Sequence, residues 1–167
     1  MADVKLAYGS AADVTITLAS LAPSSTLLAG QESTAIDNST NKYLDYLVAG
    51  WIKTNATITA GGRIEVWCVS STDDGTAWPD VFDGTDSAET VTNANIKNGV
   101  CKLVAAMQVD ATGTYPFGQV SVASLYGGVC PVKFVFFVTH STHATNALDS
   151  TAGNHKFRVV PVYETVV

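Results

Sequence analysis

Charge is scarce in this sequence. Only 14% of its residues are Asp, Glu, Lys or Arg, against about 25% in an ordinary soluble domain. Coiled coils and disordered acidic tails both need long stretches of charged residues, so neither class fits. Basic residues are the scarcer sign: 9 Lys and Arg stand against 15 Asp and Glu, a formal net charge of −6. They form no cluster, which argues against binding nucleic acid through its phosphates.

Cysteine is sparse too. Cys68, Cys101 and Cys130 are far apart and make no CxxC spacing. A disulfide framework or a structural zinc site would need more, in closer pairs. The expectation is three buried free thiols in a protein made in a reducing cytoplasm. Long apolar runs are missing as well. The mean hydropathy is +0.20, yet no stretch approaches the roughly 20 apolar residues of a membrane helix. The opening Met1-Ala2-Asp3-Val4-Lys5 has no basic head before an apolar block, so no secretory signal is expected. Asn38-Ser39-Thr40 and Asn55-Ala56-Thr57 match a glycosylation acceptor and are taken as chance.

What is present reads as β structure. Val, Ile, Thr and aromatic residues alternate with Gly, Ser, Asn and Asp clusters. Val14, Ile16 and Leu18 alternate with Thr15, Thr17 and Ala19 as a half-buried strand. Tyr43–Ile52 and Arg63–Ser70 follow, separated by a turn at Gly61-Gly62. Further strands are expected at 100–107, 118–125, 131–139 and 156–162. The run Lys133-Phe134-Val135-Phe136-Phe137-Val138 is apolar on both faces, as suits a central strand with a cover on each side. The count of seven to nine strands, with no amphipathic helix longer than two turns and no fixed repeat, predicts an all-β antiparallel sandwich, jelly-roll-like, with long polar loops. At 167 residues one domain suffices. The expected division is an N-terminal arm, residues 1–12, and a single sandwich, residues 13–167. Its core should include Ile64, Val66, Val104, Phe134, Phe136 and Val159.

Catalytic signals are weak. His140, His143 and His155 sit near Asp149, but HxxH without a helical Glu does not specify zinc, and solvated loop histidines are expected. The loop at 71–99 holds Asp73, Asp74, Asp80, Asp83, Asp86 and Glu89. It lacks the ligand spacing of an EF-hand, so Asx-turns in a hydrated loop are expected rather than calcium. Loop aspartates are too common to mark a glycosidase pair. No nucleophile elbow, P-loop or dinucleotide fingerprint occurs. No enzyme activity, cofactor or metal is therefore expected. The aromatics draw more interest. Trp78 and Phe82 lie in the acidic loop, and Tyr115 and Phe117 in a second one. Exposed there, they suit a protein partner or a stacked sugar; folded back, they close the sandwich.

The segment VTITLASLAPSSTLLAGQESTAIDNSTNKYLDYLVAGWIKT, the following AGGRIEVW and the late FRVVPVYE resemble small virion proteins encoded in the structural-gene clusters of tailed bacteriophages. The resemblance spans Val14 to Trp67 most strongly. It implies a capsid decoration, or cement, protein of jelly-roll type. Such proteins sit as homotrimers on the capsid exterior, bound to the major capsid protein. It carries over no catalytic motif. The alternative is a carbohydrate-binding or host-recognition sandwich of a phage tail or fibre.

Overall fold

Alternation along several segments is realised as two stacked antiparallel sheets. A computed structural model describes residues 3–166. Its strands are β1 (Val4–Tyr8), β2 (Ala12–Asp13), β3 (Ala29–Glu32), β4 (Ile36–Asp37), β5 (Asp45–Lys53), β6 (Gly62–Ser70), β7 (Ala88–Thr90), β8 (Cys101–Val109), β9 (Thr114–Ser121), β10 (Lys133–His140) and β11 (Lys156–Val166). Two short helices, α1 (Ala94–Val100) and α2 (Val122–Leu125), precede β8 and follow β9. The first sheet runs β1-β11-β5-β9 with β2 also on β11. The second runs β7-β3-β10-β6-β8 with β4 also on β10.

The inner faces meet in one apolar core. Tyr46, Val48, Ile52, Phe117, Phe157 and Val159 come from the first sheet, and Ile64, Val66, Cys68, Phe134, Phe136 and Val138 from the second. Rings tie the layers together: Tyr46 meets Phe134 edge-on at 5.4 Å, and Phe136 meets Phe157 at 6.0 Å. Offset and edge contacts of this kind add about 0.5–1.5 kcal/mol each beyond area burial. Gly50 is required where β5 and β11 close in; a Cβ there would lie 2.1 Å from the Lys156 carbonyl. Five of the six expected core residues are buried, and Val104 packs partly buried against them.

A second, smaller core lies on the other side of the second sheet. Trp67 and Val69 of β6 and Val135 and Phe137 of β10 meet Phe82, Val91 and Cys101 there. The chain itself supplies this cover, from the loop at 71–93 and α1. The two apolar faces of β10 are thus satisfied within one molecule.

A buried ion pair fastens the cover. The Lys97 ammonium of α1 donates to Glu65 Oε2 at 2.9 Å and to the Leu27 carbonyl at 2.7 Å. It also stands 4.8 Å over the Trp67 ring, whose indole N–H donates to the same carboxylate oxygen at 3.0 Å. Arg63 holds the other oxygen at 2.7 Å. Leu27 is left-handed, with φ +57, a geometry that costs a non-glycine residue about 1–2 kcal/mol.

Several expected elements fall differently. Residues 14–18 are extended and direct Val14, Ile16 and Leu18 to the core, but form no strand. Their backbone makes isolated bonds, Val14 N–H to Phe157 and the Thr15 carbonyl from Thr34, instead of a ladder. Residues 122–125 turn into α2 because Ser121 caps the Ser124 N–H. The loop at 71–99 contains β7 and most of α1. Within the expected arm, residues 4–8 form β1 and pair with the end of β11; Met1 and Ala2 lie outside the described residues.

Breaking a buried pair leaves an uncompensated charge, typically at a cost of 3–5 kcal/mol. Because Arg63 still faces Glu65, Lys97→Met is expected at the low end, about 3 kcal/mol less stable in urea unfolding. Adding Glu65→Gln should recover part of that loss. A double-mutant cycle with no coupling would remove the pair from this role.

Candidate functional site

The loop over the second sheet owes its order to its own carboxylates. Asp73 accepts backbone N–H groups from Gly75, Thr76 and Ala77, which hold its pKa below the usual range. Asp83 accepts the Thr85 hydroxyl and N–H. Asp80, left-handed at φ +55, accepts both groups of Thr92. Asp86 accepts from Thr17 and from Gln31 Nε2. These are Asx-type turns and ties between segments. Among the described residues no group of three His, Cys, Asp or Glu side chains is placed to hold a metal ion.

Of the four aromatic candidates, two are core residues. Phe82 is 4% exposed and meets Phe137 edge-on at 5.5 Å. Phe117 is 7% exposed and packs on Phe157 at 4.9 Å. Of the two readings, exposed or folded back, both follow the second; the apolar faces of β10 and β11 claim them. Tyr115 lies within β9, half-buried, and its hydroxyl donates to the Ala111 carbonyl at 2.5 Å. Trp78 is half-buried against Gly84 at the margin of the second core. The four are not brought together.

Two of the three histidines depart from the solvated loop reading, whereas His143 stays in a loop and accepts the Thr145 N–H at 3.0 Å. His140 is fully buried, with Nε2 at 2.8 Å from the Leu21 carbonyl, an acceptor that places the proton on Nε2. His155 is buried too, with Nε2 at 2.9 Å from the Asp149 carbonyl. Cys68 and Cys101 are buried and Cys130 half-buried. Burial pushes all three thiols up to about 12, so none is a ready thiolate. Cys130 lines an open, mainly apolar cleft of about 610 Å³ with Tyr43, Leu44, Val129 and Val132.

The surface that sequence reasoning missed is the outer face of the first sheet. Residues whose registers alternate with inward Val48 and Val159 point outward: Tyr8 beside Val162, Val160 beside Leu47, and Trp51 between Lys156 and Pro116. Trp51 is 39% exposed. Asp13 pairs with both Lys156 and Arg158 on this face, leaving one net positive charge among the three, and these two cations hold its carboxyl below the usual range. Outward apolar side chains in β5 were the available signal, masked by the nearly continuous apolar run of YLVAGWI. No protein-family model and no curated protein matches the chain.

Phe82→Ala should therefore act on stability, by about 3–5 kcal/mol. A stable Phe82→Ala protein that loses only partner binding would restore Phe82 as an exposed anchor.

Glu32 gives the loop a pH signature. Its carboxylate is fully buried and accepts N–H groups of Asp83 and Gly84, the latter at 2.7 Å. Burial outweighs these bonds and pushes its pKa up to about 7. A raised carboxyl binds its proton more tightly in the folded chain. Its stabilisation is full below the unfolded value near 4.5 and is lost as pH rises through 7, on the order of 3 kcal/mol. Burial lowers the His140 pKa, which works in the opposite direction below pH 6.5. The readout is therefore the difference between wild type and Glu32→Gln, which should narrow in stability or reverse between pH 5 and 8. Parallel pH profiles would exclude Glu32.

Proposed function

We propose that the protein is a structural, non-enzymatic virion component of a tailed bacteriophage. In this reading it is a jelly-roll-type capsid decoration protein, bound as a homotrimer to the major capsid protein on the capsid exterior after synthesis in the host cytoplasm. The observation that carries this is the asymmetry of the sandwich. The outer side of the second sheet is largely covered by the chain's own loop and α1, while Trp51 and, along β1, Val4, Leu6 and Tyr8 stand exposed on the outer side of the first. Two cations of that face, Lys156 and Arg158, share the carboxylate of Asp13. Such a face loses little side-chain entropy on packing against a protein surface. The sequence resemblance from Val14 to Trp67 supports the same reading.

The alternative, carbohydrate recognition, now rests on other residues. Tyr115 has its hydroxyl engaged, but Trp51 stands on a flat sheet face beside Pro116, where a sugar ring has room to stack.

Particles assembled with limiting protein decide between the two. Trp51→Ala should fold normally and lower occupancy on the capsid by roughly 30-fold in affinity, the scale of a central interface tryptophan. Wild-type protein that never cosediments with particles, or Trp51→Ala occupancy equal to wild type, overturns decoration through this face. Trp51-dependent signals on a glycan array, without particle association, would instead establish the host-recognition module.

A further inference from the structure

We infer that the free edge of β1 pairs with β1 of a second copy, antiparallel, about a two-fold axis at Leu6. Among the described residues β1 is the last strand of the first sheet, and β11 is the strand it pairs with. The Gly9 N–H donates to the Pro161 carbonyl at 2.9 Å, one step along the register that sets Tyr8 against Val162. Main-chain groups alternate sides along a strand. Residues 5, 7 and 9 therefore turn theirs to β11, and Val4, Leu6 and Tyr8 turn their N–H and C=O groups to the open edge.

The same three side chains lie on the outer face, 61%, 63% and 64% exposed. Val166, opposite Val4, is 70% exposed. Natural edges are usually blunted by proline, a bulge or charge. The VKLAY strand has no proline and no break in its register, and Lys5 is its one charge.

The sequence of β1 is self-complementary in one register. Centred on Leu6, Leu6 faces Leu6 and Val4 faces Tyr8 in both directions. Every edge-facing residue then exchanges both of its main-chain hydrogen bonds. Lys5 falls opposite Ala7, so no like charges oppose one another. Centring on Lys5 would set two ammonium groups face to face. Centring on Val4 or Ala7 would leave Tyr8 or Val4 without a partner inside the strand. Apolar pairs on one face and complete edge bonding therefore select a second copy of this chain as the occupant.

The contact is isologous and closes on two chains. It is separate from a three-fold contact and does not rest on the virion reading. It can be tested on the purified full chain without particles, so its failure leaves decoration standing.

The test uses the outward direction of the Leu6 N–H. Leu6→Pro removes an edge donor but no bond to β11, and proline is tolerated on an edge whose N–H faces solvent. Sedimentation at tens of micromolar should show wild type at twice the 17.5 kDa chain mass and Leu6→Pro at one chain mass, with unchanged circular dichroism. Register is read by cross-linking in a Cys130→Ser background with diamide as oxidant. Leu6→Cys should form a disulfide-linked dimer alone, since residue 6 faces itself within disulfide reach. Val4→Cys and Tyr8→Cys should cross-link only when mixed. A wild-type chain that sediments singly, a Leu6→Pro mass equal to wild type, or Val4→Cys cross-linking alone as well as Leu6→Cys would overturn the assignment.

Discussion

β10 buries apolar side chains on both faces, and most of the architecture answers to that requirement. Phe134, Phe136 and Val138 face the first sheet, while Val135 and Phe137 face the other way. Leaving Val135 and Phe137 in water would forgo roughly 1.5–3 kcal/mol for each side chain. A two-layer sandwich covers only one face of each sheet. A third layer is therefore needed behind β10, and the chain builds it from the stretch between β6 and β8.

That stretch has too little apolar content to fold by burial alone. Its fixed shape comes from polar wiring. Asp73, Asp80, Asp83 and Asp86 each satisfy donors inside the loop or on Thr17 and Gln31. Lys97 then anchors the end of the layer to Glu65, beneath the cover and beside Trp67. Glu32 receives the turn at Asp83 and Gly84 from below. The acidity of the loop is thus explained by backbone donors needing acceptors. Most of these donors lie at the surface, so each bond contributes at most about 0.5–1.5 kcal/mol and acts by fixing the local shape of the loop.

The strands with a period of two were legible wherever one face meets the core, as in β6, where Ile64, Val66 and Cys68 alternate with Glu65, Trp67 and Val69. What alternation could not show is that Glu65 and Trp67 are themselves buried, because the layer covering them is distant in sequence and polar in composition. Residues 14–18 display the converse. Their side chains alternate correctly, but pairing depends on neighbours that the local pattern does not specify, and no ladder forms. β3, with Ala29-Gly30-Gln31-Glu32, carries no strand signal at all. It is a strand because Gly30 permits close approach to β10, where a Cβ would meet the Val138 carbonyl at 2.2 Å. Phe82 and Phe117 were visible as aromatics in polar surroundings; that they point inward follows from tertiary burial, which propensity does not encode.

The third layer also sets the direction in which the molecule can make contacts. With the second core covered, exposed apolar side chains remain on the outer face of the first sheet at Trp51, along β1 at Val4, Leu6 and Tyr8, and away from both at Leu44, Leu103, Val129 and Val132. On the outer face of the first sheet Asp13 offsets one of the two positive charges of Lys156 and Arg158. The edge beside it presents the main-chain groups of Val4, Leu6 and Tyr8 with little to guard them. A flat face of low charge and an open strand edge call for different partners: side-chain packing for the first, main-chain hydrogen bonds for the second. In the reading proposed above, their adjacency on one sheet lets one copy of the chain use side-chain packing and main-chain pairing at once.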